Sequence, residues 1–276
     1  MSAADETAAA LDVATTVRSL GDGTFTATLR AEWAIGSHPH GGFLVTVLAK
    51  AAAAVLRERG EATVEPLALS AEFLHAPALG PVLLRTDVRK VGRRATVVAV
   101  SLEQRGRSCV EARVTTGRLP MRRAEWVELP HLPAEPPPGA RQLGGDLSEG
   151  PFHLAKTCDV RIDPSTAGFL AGRAGDPPRL RLWARPRAGE VDVHFALLAG
   201  DLNPPVVANL GHRGWAPTVQ LTALLRTRPA PGWLRILVES RSVYEPWFDS
   251  DATVLDSQGR LVAQIRQLAL APAPGD

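Results

Sequence analysis

The polar residues best placed for chemistry in this chain are few, and each is set into an otherwise apolar segment. The stretch from Glu190 to Pro205 (EVDVHFALLAGDLNPP) reads as one apolar helix running to a carboxylate. Val191, Phe195, Leu198 and Leu202 recur at helical spacing, with His194, Leu197 and Asp201 on the adjoining face. Gly200, Pro204 and Pro205 punctuate its end. A carboxylate in a last turn sits at the negative end of the helix macrodipole, where a sequence chosen for stability would place Lys or Arg. Asp201 is therefore a candidate proton acceptor. The competing reading is structural, because Asp-x-Asn-Pro is also a turn signal whose side chains cap backbone groups. A second candidate lies on the final strand. Alternate positions 261, 263, 265, 267 and 269 are Leu, Ala, Ile, Gln and Ala, so Gln267 is the polar residue on an apolar face. A buried amide left without partners costs about 1–3 kcal/mol, which makes the choice of Gln267 informative.

Bulk properties exclude several function classes. The 276 residues are 45% hydrophobic and 22% charged, ordinary for a globular protein, and the formal net charge is only +2. Arg is interleaved with Asp and Glu throughout, so nothing points to nucleic acid. Cys109 and Cys158 are the only cysteines, too few for a disulfide framework or a Cys-rich metal site. Ser37, Ser70 and Ser148 lack a Gly-x-Ser-x-Gly elbow, which argues against a serine hydrolase. The opening Met1-Ser-Ala-Ala-Asp-Glu-Thr has no basic region of a secretory signal. The longest apolar run, Ala51–Leu56, is far short of the ~20 residues of a membrane span. The expectation is a cytoplasmic protein without membrane partners, with residues 1–10 frayed.

The elements that must position these residues fall into two similar halves. A hairpin signature at Gly21-Asp-Gly23 precedes the polar, glycine-rich segment Trp33 to Gly42, which leads into a helix over Phe43–Arg59. That helix is rich in Ala and apolar all round, as buried helices are. Strands are expected over Leu67–Phe73, Val82–Lys90, Ala95–Gln104 and Ser108–Leu119. Residues 128–150, with Pro130, Pro133, Pro136 to Pro138 and Gly144-Gly145, read as a linker. Beyond it come strands at Leu154–Ile162 and Leu180–Arg185, the helix Glu190–Asp201, and strands at Thr218–Arg228, Trp233–Tyr244, Trp247–Asp256 and Leu261–Leu270. The turn Asp256-Ser-Gln-Gly-Arg260 echoes Glu103-Gln-Arg-Gly-Arg107, so a duplicated domain is inferred: 1–127 and 151–276, joined by 128–150. The fold class is α+β, a long antiparallel sheet curled over a helix, in tandem.

That order resembles the double hotdog fold, and within it the type II acyl-CoA thioesterase family with its thioesterase-like relatives. The residues that carry the resemblance are His40-Gly41-Gly42 opening the first helix, Phe73-Leu-His-Ala-Pro77, Trp183-x-Arg185, Asp201-Leu-Asn203, and the final hairpin from Asp256 through Gln267. The resemblance implies hydrolysis of an acyl-CoA by a water held between an Asp, a Thr or Ser, and a Gln. These roles fall on Asp201, Thr218 and Gln267, with Gln220 and Thr222 as alternatives to Thr218. It also implies substrate contacts at His40, Gly41 and Gly42. Arg185, like Arg181 and Arg187, is a candidate for the phosphates of coenzyme A. No metal or cofactor is needed. Two departures stand out: Phe43 follows the Gly-Gly pair where the family has Gln, and Thr218-Val-Gln220 replaces an expected acidic residue. The alternative is a non-catalytic protein that binds acyl thioesters. The resemblance is also compatible with a homodimer or higher homo-oligomer.

Overall fold

Each half of the chain wraps an antiparallel sheet around one helix, as the computed structural model shows for the residues it describes, 10–144 and 151–272. The first half runs β1 (Arg18–Gly21), β2 (Thr24–Leu29), β3 (Ala34–Ile35), β4 (His38–Pro39), α1 (Gly41–Glu58), β5 (Glu65–Phe73), β6 (Gly80–Lys90), β7 (Ala95–Gln104) and β8 (Arg107–Gly117). The second half runs β9 (Arg141–Gln142), β10 (Cys158–Ile162), β11 (Arg179–Pro186), α2 (Val193–Ala199), β12 (Thr218–Leu225), β13 (Leu234–Glu239), β14 (Val243–Tyr244), β15 (Trp247–Leu255) and β16 (Leu261–Leu270). The expectations for residues 1–9, for Ser148 and for the linker's last residues lie outside the described residues.

The two curled sheets are one hydrogen-bonded path, β1-β2-β6-β7-β8-β5-β12-β16-β15-β13-β11-β10-β9. The seam is the antiparallel pair of β5 with β12, in register from Gln220 opposite Glu72 to Leu224 opposite Ala68. This is the tandem hotdog that the sequence resembles. α1 earns its burial by composition: Phe43, Val45, Val47, Leu48, Ala51, Ala52 and Leu56 are essentially without solvent contact. Small Ala side chains let it lie close to β5–β8 on one side and α2 on the other. Gly60 ends it, its N–H donating to the Arg57 carbonyl at 2.9 Å. No helix among the described residues is long and apolar enough to cross a membrane.

Several boundaries differ from the sequence reading. The strand expected over Trp233–Tyr244 is two, β13 and β14, broken where the Asp249 carboxylate accepts the Arg241 and Ser242 N–H groups. α2 begins at Val193 because Asp192 caps it, its Oδ1 accepting the Phe195 N–H at 2.8 Å. It ends at Ala199, so Asp201 lies just beyond the helix. Residues 153–156 form a 3-10 turn, and the strand begins only at Cys158. The described part of the Pro-rich segment is docked on the second half, not free. Leu132 and Leu143 are buried, and the Pro133 carbonyl accepts the Trp183 indole N–H at 2.9 Å. Arg235 likewise donates to the Leu132 carbonyl. Proline removes regular hydrogen bonding but not packing.

Asp192 also lies within the field of Lys50, in the middle of α1. Burial alone would raise its carboxyl, but the hydrogen bond and charge of His194, the Phe195 N–H and Lys50 of α1 outweigh burial and hold it below the usual range. We expect Asp192→Ala to lower the unfolding free energy at pH 7 by about 0.5–2 kcal/mol, the usual worth of an N-cap. A folded-state value below the unfolded one (about 3.9) means this stability is present above that pH and is lost as pH falls through the folded value. In urea titrations the gap between wild type and variant therefore narrows from pH 7 to pH 3. A gap of constant width would refute the ionic part of the argument.

Candidate active site

The site begins where the first helix of one half meets the end of the helix of the other. Asp201 follows Gly200 and turns its carboxylate toward the N-terminus of α1. Its Oδ2 accepts the Gly42 N–H at 2.6 Å, and its Oδ1 accepts Gln267 Nε2 at 2.6 Å. Gln267 Oε1 in turn accepts the Thr218 hydroxyl at 2.7 Å. The amide orientation is fixed by this chain, since a carboxylate only accepts and its neighbour must be the NH₂ end. His40 closes the other side, with Nε2 2.9 Å from the Asp201 backbone carbonyl and 3.5 Å from Oδ2. A carbonyl accepts only, so Nε2 carries a proton. The macrodipole expectation is thereby corrected. Asp201 does lie near the negative end of α2, but its carboxylate sits on the positive end of α1, which favours a negative charge.

A bulge selects the threonine. On β12 Thr218 pairs with Ala269 and Gln220 with Leu268, so two steps on β12 match one on β16. Strand alternation alone would send Thr218 and Gln220 to the same face; the extra residue, Val219, separates them. Thr218 points to Gln267. Gln220 and Thr222 bond each other at 2.9 Å and Gln220 reaches Ser70 at 3.2 Å, away from Asp201. The structure thus brings Asp201, Thr218 and Gln267 together, with His40, Gly41 and Gly42 beside them.

These groups form one wall of a cavity of about 420 Å³. Its apolar lining includes Ile35, Leu44, Phe73, Phe248 and Leu270, and its rim includes His38, His75 and Trp215. The His38 ring lies against Trp215, with centroids 5.1 Å apart. Arg185 is not brought to this cavity. It lies 4.2 Å over the Trp233 ring and 3.4 Å from Asp159, in a separate shallow groove. Arg181 faces Asp163, and Arg187 donates to the Ala155 carbonyl. His194 is held by Asp192 and does not line the cavity. The two thiols are unsuited to attack: burial pushes Cys158 up to about 12 and raises Cys109.

Two lining residues escaped the sequence reading as site groups. Ser250 is 5% exposed and its Oγ has no protein partner; Asn203 Oδ1 and His40 Nδ1 are in the same condition. The signal for Ser250 was present. On β15 the inward positions are Phe248, Ser250, Ala252 and Val254, the same lone polar residue on an apolar face that singles out Gln267.

Known proteins agree with this architecture. Residues 29–117 match the acyl-CoA thioesterase N-terminal domain family and residues 128–271 the acyl-CoA thioesterase C-terminal domain family. An uncharacterised protein of Mycobacterium tuberculosis is 42% identical, with 90% of this chain and 91% of that protein aligned. A crystal structure from Thermobifida fusca, provisionally assigned as a thioesterase II, superposes with a TM-score of 0.84 at 31% identity, over 95% of this chain and 97% of that one. An acyl-CoA thioesterase II from Mycobacterium marinum shares the fold, with a TM-score of 0.67 at 15% identity, over 96% and 99%. The chain belongs to the acyl-CoA thioesterase family defined by those paired domains.

Glycine is what lets the helix ends approach. A Cβ on Gly42 would stand 2.9 Å from the Leu198 carbonyl oxygen and 3.1 Å from Asp201 Cβ; one on Gly41 would stand 2.8 Å from Asp201 Oδ2. The first obstacle is backbone and cannot rotate away. Gly42→Ala is therefore expected to lower the unfolding free energy by about 1–3 kcal/mol, the usual cost of overpacking. Thermal unfolding checks this, and an unchanged midpoint would mean that the helices are not held at this spacing.

Proposed function

We propose that the chain hydrolyses acyl-CoA thioesters with a water activated by Asp201. The observation that carries this reading is the continuous hydrogen-bonded run Thr218–Gln267–Asp201 on the wall of an otherwise largely apolar cavity. Each member keeps unused capacity in the direction a water needs. Thr218 spends its proton on Gln267 and retains acceptor lone pairs; Gln267 retains one N–H; the carboxylate retains lone pairs. A water held there donates to Asp201 and Thr218 and accepts from Gln267, which aims its oxygen lone pair outward.

The reaction follows from that placement. The water oxygen attacks the thioester carbonyl carbon while Asp201 takes its proton. Charge grows on the carbonyl oxygen, where hydrogen-bond donors stabilise it. The C–S bond then breaks, the thiolate of coenzyme A leaves and recovers a proton, and the acyl group departs as a carboxylate. Membership of the acyl-CoA thioesterase family supports the same substrate class.

Asp201→Asn keeps the shape of the site but cannot take the proton. We expect a loss of about 10²–10⁴-fold in kcat, the usual contribution of a general base, measured as free thiol released from acyl-CoAs of several chain lengths. Activity untouched by the substitution would remove Asp201 from the mechanism. Wild-type protein that binds every acyl-CoA and releases no thiol would identify a binding protein instead.

A further inference from the structure

The strands that line the cavity run, at their other ends, into turns rich in arginine. β5 carries Phe73 on the cavity and Glu65 at its far end, about 25 Å away at ~3.3 Å per residue. At that far end the β6–β7 turn packs against the exit of β8. Ala95 pairs with Gly117, and a Cβ on Gly117 would stand 2.7 Å from the Arg94 carbonyl oxygen. The chain leaving β8 crosses the same end, with the Leu119 N–H donating to Glu65 and the Pro120 carbonyl accepting the Thr227 hydroxyl beyond β12. Residues 120–128 are irregular and exposed throughout. This end therefore faces away from the cavity mouth at His38, His75 and Trp215.

The two stretches there, 90–94 and 118–128, hold six basic side chains against two acids, Glu125 and Glu128, although the whole chain carries a net charge of only +2. Arg93, Arg94, Arg118, Arg122 and Arg123 form no ion pair among the described residues, and Glu65 is engaged by Arg228. Large apolar side chains stand in water on the same stretches. Val91 is 57% exposed, Met121 87% and Trp126 79%. A protein interface gathers its apolar side chains in a core depleted of charge. Here Val91 adjoins Lys90 and Met121 adjoins Arg122. A bilayer surface suits that mixture, because headgroup phosphates meet guanidinium groups while Trp and other apolar side chains settle at the boundary with the acyl chains. The excess of positive charge selects an anionic lipid.

We propose that this end is a docking surface for an anionic lipid bilayer, with Met121 and Trp126 inserted and the arginines on the headgroup phosphates. This departs from the sequence expectation of no membrane partner, which followed from the short apolar runs; a surface contact needs no spanning segment. The contact is independent of the thioester chemistry and leaves the cavity mouth open to water. The full-length protein is sedimented with vesicles of phosphatidylcholine alone and of equal parts phosphatidylcholine and phosphatidylglycerol. We expect partitioning onto the anionic vesicles to be stronger by about tenfold or more, since each basic side chain near such a surface is worth roughly fivefold. It should fade in about 0.5 M NaCl, where the screening length falls to roughly 4 Å. Arg122→Glu with Arg123→Glu, and separately Met121→Ser with Trp126→Ser, should each weaken it by about fivefold or more. All four side chains are exposed, so an unchanged thermal midpoint separates a lost contact from lost folding. Equal partitioning onto the two vesicle types would overturn the proposal. So would binding that survives in the Met121 and Trp126 variant, because a soluble polyanion needs the charges alone. A wild-type dimer that this variant dissolves, with no vesicle bound, would assign the surface to a second copy of the chain and overturn it as well.

Discussion

The structure depends on one contact between its halves: the carboxylate of Asp201 set on the N–H of Gly42 at the start of α1. A helix N-terminus carries several N–H groups with no partner in the helix. α1 has no side-chain cap of its own, since His40 at the cap position makes no such bond. The second half supplies the missing acceptor. In exchange, an acid that would be badly placed at the end of α2 gains the positive end of α1 and a second donor from Gln267. The bond between the start of α1 and the residue just past α2 also fixes the carboxylate that faces the cavity.

This arrangement demands small residues where the chains cross. Gly41 and Gly42 face Asp201, and Gly200 faces β16, where an added Cβ would stand 2.1 Å from Ile265 Cδ1. Ile265 is β-branched and cannot swing clear cheaply. The same closeness explains why duplication leaves one site and not two. The first-half residue corresponding to Gln267 is Val114, fully buried, and α1 carries no carboxylate before Glu58. One half provides a helix N-terminus and the other provides the acid, the amide and the hydroxyl. Neither half contains the set.

Asp201 and Gln267 were legible in the sequence because each breaks a periodicity, a carboxylate after an apolar helix and an amide on an apolar strand face. The tandem α+β fold was legible for the same reason, since long alternating strands and an all-apolar helix leave few other layers. What was not legible depended on contacts distant in sequence or on local irregularity. The helix N-terminus that receives Asp201 lies 159 residues away. Thr218 could not be separated from Gln220 and Thr222 by alternation, because the bulge at Val219 shifts the parity between them. Arg185 drew attention by its charge, yet that charge is engaged by Asp159 and by the face of Trp233. The Pro-rich segment looked like a free linker because proline shows where regular structure stops, not where packing stops.

The cavity wall shows what such irregularities cost and why they persist. Leaving Ser250 and His40 Nδ1 without protein partners is unfavourable by about 1–3 kcal/mol for each group that stays unsatisfied. A sequence selected only for stability would place Ala or Val at position 250, as β15 does at the neighbouring inward positions Ala252 and Val254. Sequences tend to violate local rules at functional sites and to compensate elsewhere. Here the compensation is visible in the seam between β5 and β12, in the buried length of α1, and in the capped carboxylate between the helices.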